Sequence, residues 1–450
     1  MSKHSMTRRA FLAATTTTAV TVLAAPNDAQ VVPGKISPNE KLNIAAIGAG
    51  GKGFSDLMSC SKLGENIVAL CDVDAKEGGE AFYKLPNAKQ FKDYREMLEK
   101  MPEIDACTVS TPDHTHAPAA YMAMKLGKHV YVQKPLTHTV AEARLLTNTA
   151  REMKVATQMG NQGHCGNGVR DMCEMLWSGS IGQVKEAHVW TNRPVWPQGI
   201  AKPLDEMPVP DTMAWDLWIG TAPMRPYNDK YAPFNWRGWW DFGSGALGDM
   251  ACHIMDPAFW ALKLVEASDY SVELVAQSGK NDQTAPLASI VKYSFPARGD
   301  MAPVDVFWYD GMLIPKRPEG IPANQKLGDG DNGCFFVGES GILTAGEYGG
   351  EARLLPDEKM ADYKKPEQTI KRIKDEDPYL NWIEACKGGE PAASNFDYSG
   401  PFTEMVAFGN LAVRTEQKMH WDNKAGAVTN VPNPKEFVSK EYRKGWELPC

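Results

Sequence analysis

Two short stretches hold side chains whose types and spacing suit proton and hydride chemistry. The first is Gln133-Lys134-Pro135-Leu136, at the end of the apolar strand candidate His129–Gln133. A lysine between an apolar strand and a proline is poorly placed for simple solvation. It can hold a hydroxyl oxygen, or have its pKa lowered and share in proton transfer. The second stretch is Gly248-Asp249-Met250-Ala251-Cys252-His253-Ile254-Met255-Asp256. Asp249 and His253 stand four apart, so a helix puts both on one face. Histidine is the side chain best suited to exchange a proton near neutral pH, and a carboxylate beside it can orient the ring or hold a substrate hydroxyl. The expected roles follow: His253 is the base, Lys134 orients the hydroxyl and stabilises developing alkoxide, and Asp249 fixes either the ring or a second hydroxyl. The competing readings are a structural pair and a metal site built from Asp249, His253 and His114 or His116. No metal is expected, because Lys134 and a dinucleotide loop already supply a complete hydride-transfer site.

That loop is Gly48-Ala49-Gly50-Gly51-Lys52-Gly53, which fits G-x-G-x-x-G after an apolar strand and before a helix. Gly48 permits the tight turn, Gly50 lets a pyrophosphate approach the backbone, and Gly53 lets helix pack on strand. With Gly51 between them, the loop places a pyrophosphate at a helix N-terminus. Asp72 ends the next strand, where a carboxylate takes ribose hydroxyls and disfavours a 2′-phosphate. NAD is therefore expected over NADP. The fourth strand runs into Ser110-Thr111-Pro112-Asp113-His114-Thr115-His116 and the fifth into Gln133-Lys134. Both lie at carboxyl ends of parallel strands, where open α/β sheets bind ligands.

The elements that must hold these groups are legible as two regimes. Up to about residue 164, apolar strands at Leu42–Ile47, Ile67–Cys71, around Phe91, Ala106–Ser110, His129–Gln133 and Val155–Met159 alternate with helical stretches at Gly53–Leu63, Pro118–Leu126 and Ala141–Met153. That pattern predicts a doubly wound parallel sheet. Beyond it, Val184–Trp190, Tyr270–Gln277, Ala288–Phe295 and Val304–Tyr309 alternate in polarity, as in an antiparallel sheet with one covered face. Helices at Pro378–Lys387 and Pro401–Gln417 close the fold. The expected class is α/β: an NAD-binding doubly wound domain over 41–164, a substrate and sheet domain over 165–430, and a C-terminal tail over 431–450.

The 450 residues carry a net charge of −8, which argues against nucleic acid as a partner. Nine cysteines without a C-x-x-C pair suggest neither a zinc site nor a disulfide framework. Residues 1–30 have the parts of an export signal, followed by a linker over 31–40: Lys3, Arg8 and Arg9, then a Thr-rich, weakly apolar run, then small residues with cleavage expected after Ala25 or Ala29. Thr7-Arg8-Arg9-Ala10-Phe11-Leu12 resembles a twin-arginine signal, which implies export of the folded, cofactor-loaded protein to the periplasm or beyond the cytoplasm. No later segment is apolar enough to span a membrane.

GAGGKG, STPDHTH, QKPL and GDMACHIMD, in that order, resemble the family of glucose–fructose oxidoreductase, inositol dehydrogenase and MocA (Gfo/Idh/MocA). The resemblance implies a Rossmann domain followed by an α/β domain with a large open sheet, a homo-oligomer formed through that sheet, and an NAD-dependent reaction on a sugar, glycoside or cyclitol hydroxyl. It matches Lys134 to the lysine of the family's E-K-P motif, Asp249 and His253 to the D-x-x-x-H pair lining a sugar pocket, and His116 to a histidine near the nicotinamide. Gln133 departs from the family's glutamate, so the lysine's protonation state is open while its position is not. Cofactor contacts are expected from Gly48, Gly50, Gly51, Gly53, Asp72, Thr111, His116 and Gln133.

Six of the thirteen tryptophans fall between 215 and 260. Most suit core packing, because an indole buries so much area. One or two of Trp236, Trp239 and Trp240, with Arg237 near, are expected to face the carbohydrate substrate. Trp190, Asn192, Arg193 and Trp196 are candidates for a further wall. Some members of the superfamily are glycosidases that oxidise the sugar transiently on bound NAD, as α-N-acetylgalactosaminidases do. That alternative needs a second proton-transfer residue, for which Tyr227 and Tyr231 are candidates without an anchor in the sequence.

Overall fold

In the computed structural model, residues 40–432 and 438–450 are described. The expected signal over 1–30 and nearly all of the linker lie outside them, as do residues 433–437 of the tail.

The first half folds as expected. Strands β1 (Asn43–Ile47), β2 (Asn66–Cys71), β3 (Lys89–Phe91), β4 (Ala106–Val109), β5 (His129–Val132) and β6 (Thr157–Met159) form one sheet in the order β3-β2-β1-β4-β5-β6. Every pairing in it is parallel. The helices between them are α1 (Lys52–Lys62), α2 (Gly79–Lys84), α3 (Tyr94–Lys100), α4 (Asp113–Lys125) and α5 (Val140–Met153). β4 and β5 are buried along their whole length, which is why they read as unbroken apolar runs. The strand order reverses between β1 and β4, so the crevice at the carboxyl ends opens there.

Helix α6 (Asn167–Trp177) leads into the second sheet. It comprises β7 (Val184–Trp190), β8 (Asp269–Gln277), β9 (Ser289–Phe295), β10 (Val304–Tyr309), β11 (Gly333–Gly338), β12 (Ile342–Ala345), β13 (Arg353–Leu355), β14 (Met419–Asp422) and β15 (Ala427–Val428). Their order is β13-β12-β11-β7-β10-β9-β8-β14-β15, and all but the β10–β7 pair are antiparallel. β9 and β10 alternate buried and half-buried residues, the pattern of a sheet with one covered face.

Between β7 and β8 lie α7 (Trp215–Ile219), α8 (Gly245–Ile254) and α9 (Asp256–Ala261); after β13 come α10 (Pro378–Cys386) and α11 (Phe396–Thr415). Trp382, Ile383 and Cys386 of α10 pack with Leu42, Ile44 and Tyr131, so a late segment completes the Rossmann core. Helix α11 joins the halves, with Arg144 of α5 donating to both oxygens of Glu404 at 2.8 and 2.6 Å. Both α4 and α11 start a turn before the prolines that seemed to open them, Pro118 and Pro401, which lie inside the helices. Residues 333–355 and 419–428 escaped the reading because their strands are short and glycine-flanked. All nine cysteines are free, eight of them buried, and no helix among the described residues is long and apolar enough to cross a membrane.

Candidate active site

The glycine loop joins β1 to α1. Gly48 has φ +84° and its N–H donates to the Cys71 carbonyl at 2.9 Å; a Cβ there would lie 2.8 Å from the Ser110 backbone. A Cβ on Gly53 would collide with the Gly48 carbonyl. The other two glycines differ in their surroundings. Gly50 faces the Glu77 carbonyl, whereas Gly51, the residue before α1, faces open space. Asp72 stands at the end of β2 as expected, but its carboxylate already holds the loop: Oδ2 accepts from Ala49 N at 3.0 Å and Gly50 N at 2.9 Å, and Oδ1 from Asp74 N at 2.9 Å. Burial pushes its carboxyl up, and these backbone donors oppose the push.

At the next strand end, Thr111 Oγ1 is buried with no hydrogen-bond partner among the described residues. An orphaned hydroxyl costs free energy unless something pairs with it. An open helix N-terminus beside such a hydroxyl fits a dinucleotide. His116 does not face that space. It is buried, with Nδ1 2.8 Å from the Pro135 carbonyl oxygen and Nε2 2.7 Å from that of Thr111, and burial pushes its pKa down to about 4. It ties the ends of β4 and β5 together. Gln133 is buried too, and its Nε2 donates to Asp56 Oδ2 at 2.9 Å.

Helix α8 sets Asp249 and His253 against Lys134. Lys134 Nζ donates to Asp249 Oδ1 at 2.7 Å and to the Asp249 carbonyl at 3.0 Å. Arg237 Nε donates to the same Oδ1 at 3.1 Å, and its guanidinium lies 4.4 Å from the ring centres of both Phe234 and Trp236. Burial alone would raise the Asp249 carboxyl, but Lys134 and then Arg237 hold it below the usual carboxylate range. Asp249 thus serves the lysine and arginine rather than the His253 ring. Burial, reinforced by Lys134, pushes His253 down to about 3. Its imidazole is therefore neutral at neutral pH, and its buried Nδ1 has no partner among the described residues.

These groups line one open cavity of about 280 Å³. Lys134, Arg193, Val195, Trp196, Phe234, Arg237, Asp249, Met250 and His253 line it. Glu347 and Tyr348 complete the lining, and neither was singled out in the sequence. The Tyr348 ring meets His253 edge-on at 5.2 Å. Its backbone has φ +61°, a left-handed conformation uncommon for a bulky residue and typical of functional sites. Gly163 makes room for it, since a Cβ there would run into the Tyr348 ring. Burial pushes the Tyr348 phenol above its ordinary value, so it remains a hydrogen-bond donor.

The expected aromatic wall is corrected. Trp239 is fully buried in a cluster with Trp215, Trp218, Phe242, Tyr227 and Tyr231. Trp240 is buried in the main core beneath Arg414, and Trp236 serves as a platform for Arg237. The cavity draws its aromatic surface from Trp196, Phe234 and Tyr348 instead. Tyr227 and Tyr231 belong to the buried cluster and do not reach it. A sequence signal for Tyr348 did exist: Gly346-Glu347-Tyr348-Gly349-Gly350 places a large side chain among glycines, as a tight, close-packed turn requires.

Residues 42–161 match the oxidoreductase family Gfo/Idh/MocA in its NAD-binding Rossmann fold, and residues 182–297 match the family's C-terminal α/β domain. The chain belongs to the Gfo/Idh/MocA family. Within it, the chain is similar to an α-N-acetylgalactosaminidase of Shewanella oneidensis, 29% identical over 177 residues, and to a glycosyl hydrolase family 109 protein of Shewanella sp. strain MR-4, 30% identical over the same length. Each match spans 37% of this chain and 38% of the relative. Among solved structures, the WlbA dehydrogenase of Bordetella pertussis, in complex with NADH and UDP-GlcNAcA, superposes with a TM-score of 0.58 at 15% identity, over 84% of this chain and 98% of the other. An aldose–aldose oxidoreductase from Caulobacter crescentus, complexed with glycerol, gives 0.54 at 14%, over 84% and 99%. At such identities the likeness carries the Gfo/Idh/MocA fold.

Proposed function

We propose that this protein is an exported, NAD-dependent oxidoreductase acting on a hydroxyl of a sugar, glycoside or cyclitol. The observation that carries the reading is the convergence of Lys134, Asp249 and His253 on one cavity, in a chain whose first domain carries the dinucleotide-type glycine loop. When bound, NAD accepts the hydride released from the substrate carbon. The neutral His253 ring takes the hydroxyl proton. Lys134, anchored by Asp249, orients the oxygen and stabilises charge developing on it. Gly51, the α1 N-terminus and Thr111 would hold the cofactor, and the Asp72 carboxylate favours NAD over NADP. Arg193, Arg237 and Glu347 offer donors and acceptors to further hydroxyls, and Trp196 and Phe234 offer apolar faces to a ring. The carbohydrate class agrees with the sugar-nucleotide ligand named for WlbA. The twin-arginine-like start supports export with the cofactor already loaded, so the cofactor must be regenerated in place. A homo-oligomer is expected from the open second sheet.

A second reading is favoured by the glycosidase relatives and by Tyr348, a second proton-transfer group in the same cavity. Here the sugar is oxidised, loses a proton beside the new carbonyl and expels its aglycone as an alcohol. Water then adds and the hydride returns, with no net redox change.

One experiment separates the readings. The protein, purified without added nucleotide and checked for copurifying NAD, is incubated with free sugars and aryl glycosides. Reduced nicotinamide accumulating to stoichiometry without cleavage supports the oxidoreductase. Aglycone release without such accumulation overturns it in favour of the glycosidase. Fractionation of the native host tests export, and competition between NADH and NADPH tests the cofactor preference.

A further inference from the structure

A buried carboxylate ties the glycine loop to two strand ends and to a late helix. Asp56 lies one turn into α1 and is fully buried. Four donors converge on it: Ser110 Oγ at 2.7 Å and Gln133 Nε2 at 2.9 Å on Oδ2, Tyr379 Oη at 2.6 Å and Lys52 Nζ on Oδ1. Lys52 also donates to Tyr379 Oη at 2.8 Å. Ser110 and Gln133 stand at the ends of β4 and β5, and Tyr379 comes from α10, stacked on Tyr131 at 5.0 Å. A lone i,i+4 pair needs none of this support.

Lys52 follows Gly51, whose face is open, and its side chain is 45% exposed. An ammonium has three donors, and two are spent on Asp56 and Tyr379. The third, at a helix N-terminus, suits a phosphate oxygen. Gln133 fits the same arrangement. A glutamate there would set a second carboxylate against Asp56, whereas the glutamine amide donates to it.

We propose that Lys52, Asp56 and Tyr379 form a clasp that retains the diphosphate of NAD in the glycine loop, with the Gln133 amide supporting Asp56 where a glutamate would repel it. The proposal rests on the NAD reading above. Its test is the release of NADH from loaded protein, followed by nicotinamide fluorescence after mixing with excess NAD⁺. Lys52→Met is expected to release NADH about tenfold faster, as for the loss of one charge-assisted hydrogen bond. Tyr379→Phe, which keeps the ring stack, is expected to do so about fivefold faster. Asp56→Asn should release faster as well, and the exchanged pair Asp56→Asn with Gln133→Glu should recover toward the parent rate. Thermal melts without nucleotide identify a variant that does not fold, and Lys52→Met, at a half-exposed position, decides the matter if Asp56→Asn is one. Release at the parent rate in both Lys52→Met and Tyr379→Phe overturns the clasp. A parent protein that binds no NADH at all overturns the NAD reading instead.

Discussion

Lys134 and Arg237 both donate to one oxygen of Asp249, so the loss of either cation leaves the buried carboxylate with a single positive partner. Lys134→Met is expected to lower kcat/KM for hydride transfer by about 10³, within the range for removing a positioned proton-transfer group, while NADH affinity stays near the parent value. Single-turnover reduction of the bound nicotinamide measures the first and fluorescence titration the second. Because burial holds His253 near 3, the imidazole is already unprotonated well below the ordinary histidine range. The acid limb of kcat/KM should therefore lie below about pH 5, rather than at the ordinary histidine value of about 6.5. A limb near 6.5 would point to a different base.

The turn that carries Glu347 and Tyr348 works as an element. Gly346 N donates to the Gly350 carbonyl at 2.8 Å, and Glu347 N to Asp329 Oδ2 at 2.6 Å, so the turn is fixed from both sides. Gly163→Ala is expected to push Tyr348 off His253 and lower turnover at least tenfold, about the effect of a small misplacement at a reacting centre. NADH binding should not change. Equal loss of both would place the damage in the fold rather than at the cavity. In the glycine loop, Gly53→Ala should abolish NADH binding, because its Cβ meets backbone. Gly51→Ala should weaken it less, because its Cβ meets no atom and only the backbone, at φ +51° and ψ −118°, resists a side chain. Titration of the two variants should rank them in that order.

Across the whole molecule, stability should depend on pH through buried histidines. Burial pushes His114 and His253 to about 3 and His116 and His129 to about 4. Below the unfolded value of about 6.5 the unfolded chain binds protons that the folded chain refuses, so stability falls with acidification by about 1.4 kcal/mol per group per pH unit. Asp113 and Asp310 act in the opposite sense. Burial raises both to about 7, so they stabilise at low pH and lose that contribution as pH rises through 7. Burial also lowers His138 and His188 and raises Asp72, so six histidines stand against three carboxyls, and the melting temperature should drop between about pH 6.5 and 5. A flat or rising profile by scanning calorimetry would contradict this account.

By itself the sequence determined the Rossmann half, the alternating strands of the second sheet, and the candidate set Lys134, Asp249 and His253. These are written in local patterns: unbroken apolar runs for buried parallel strands, period two for a half-covered sheet, and glycines where backbone must approach backbone. Lys134, Asp249 and His253 were legible because each sits in a short motif whose element fixes its direction. Tertiary structure alone decided which residues share the cavity. The tryptophans near α8 looked equally suited to a sugar, but area burial took Trp239 and Trp240 into cores, leaving the aromatic surface to Trp196 and Phe234 from separate loops. Tyr348 reaches the cavity and Tyr379 reaches Asp56 from far along the chain, and no local spacing announces contacts between segments that only the second sheet and α10 bring back. Gln133 looked like a lost charge in the sequence; the fold shows the carboxylate it faces, Asp56, one layer away.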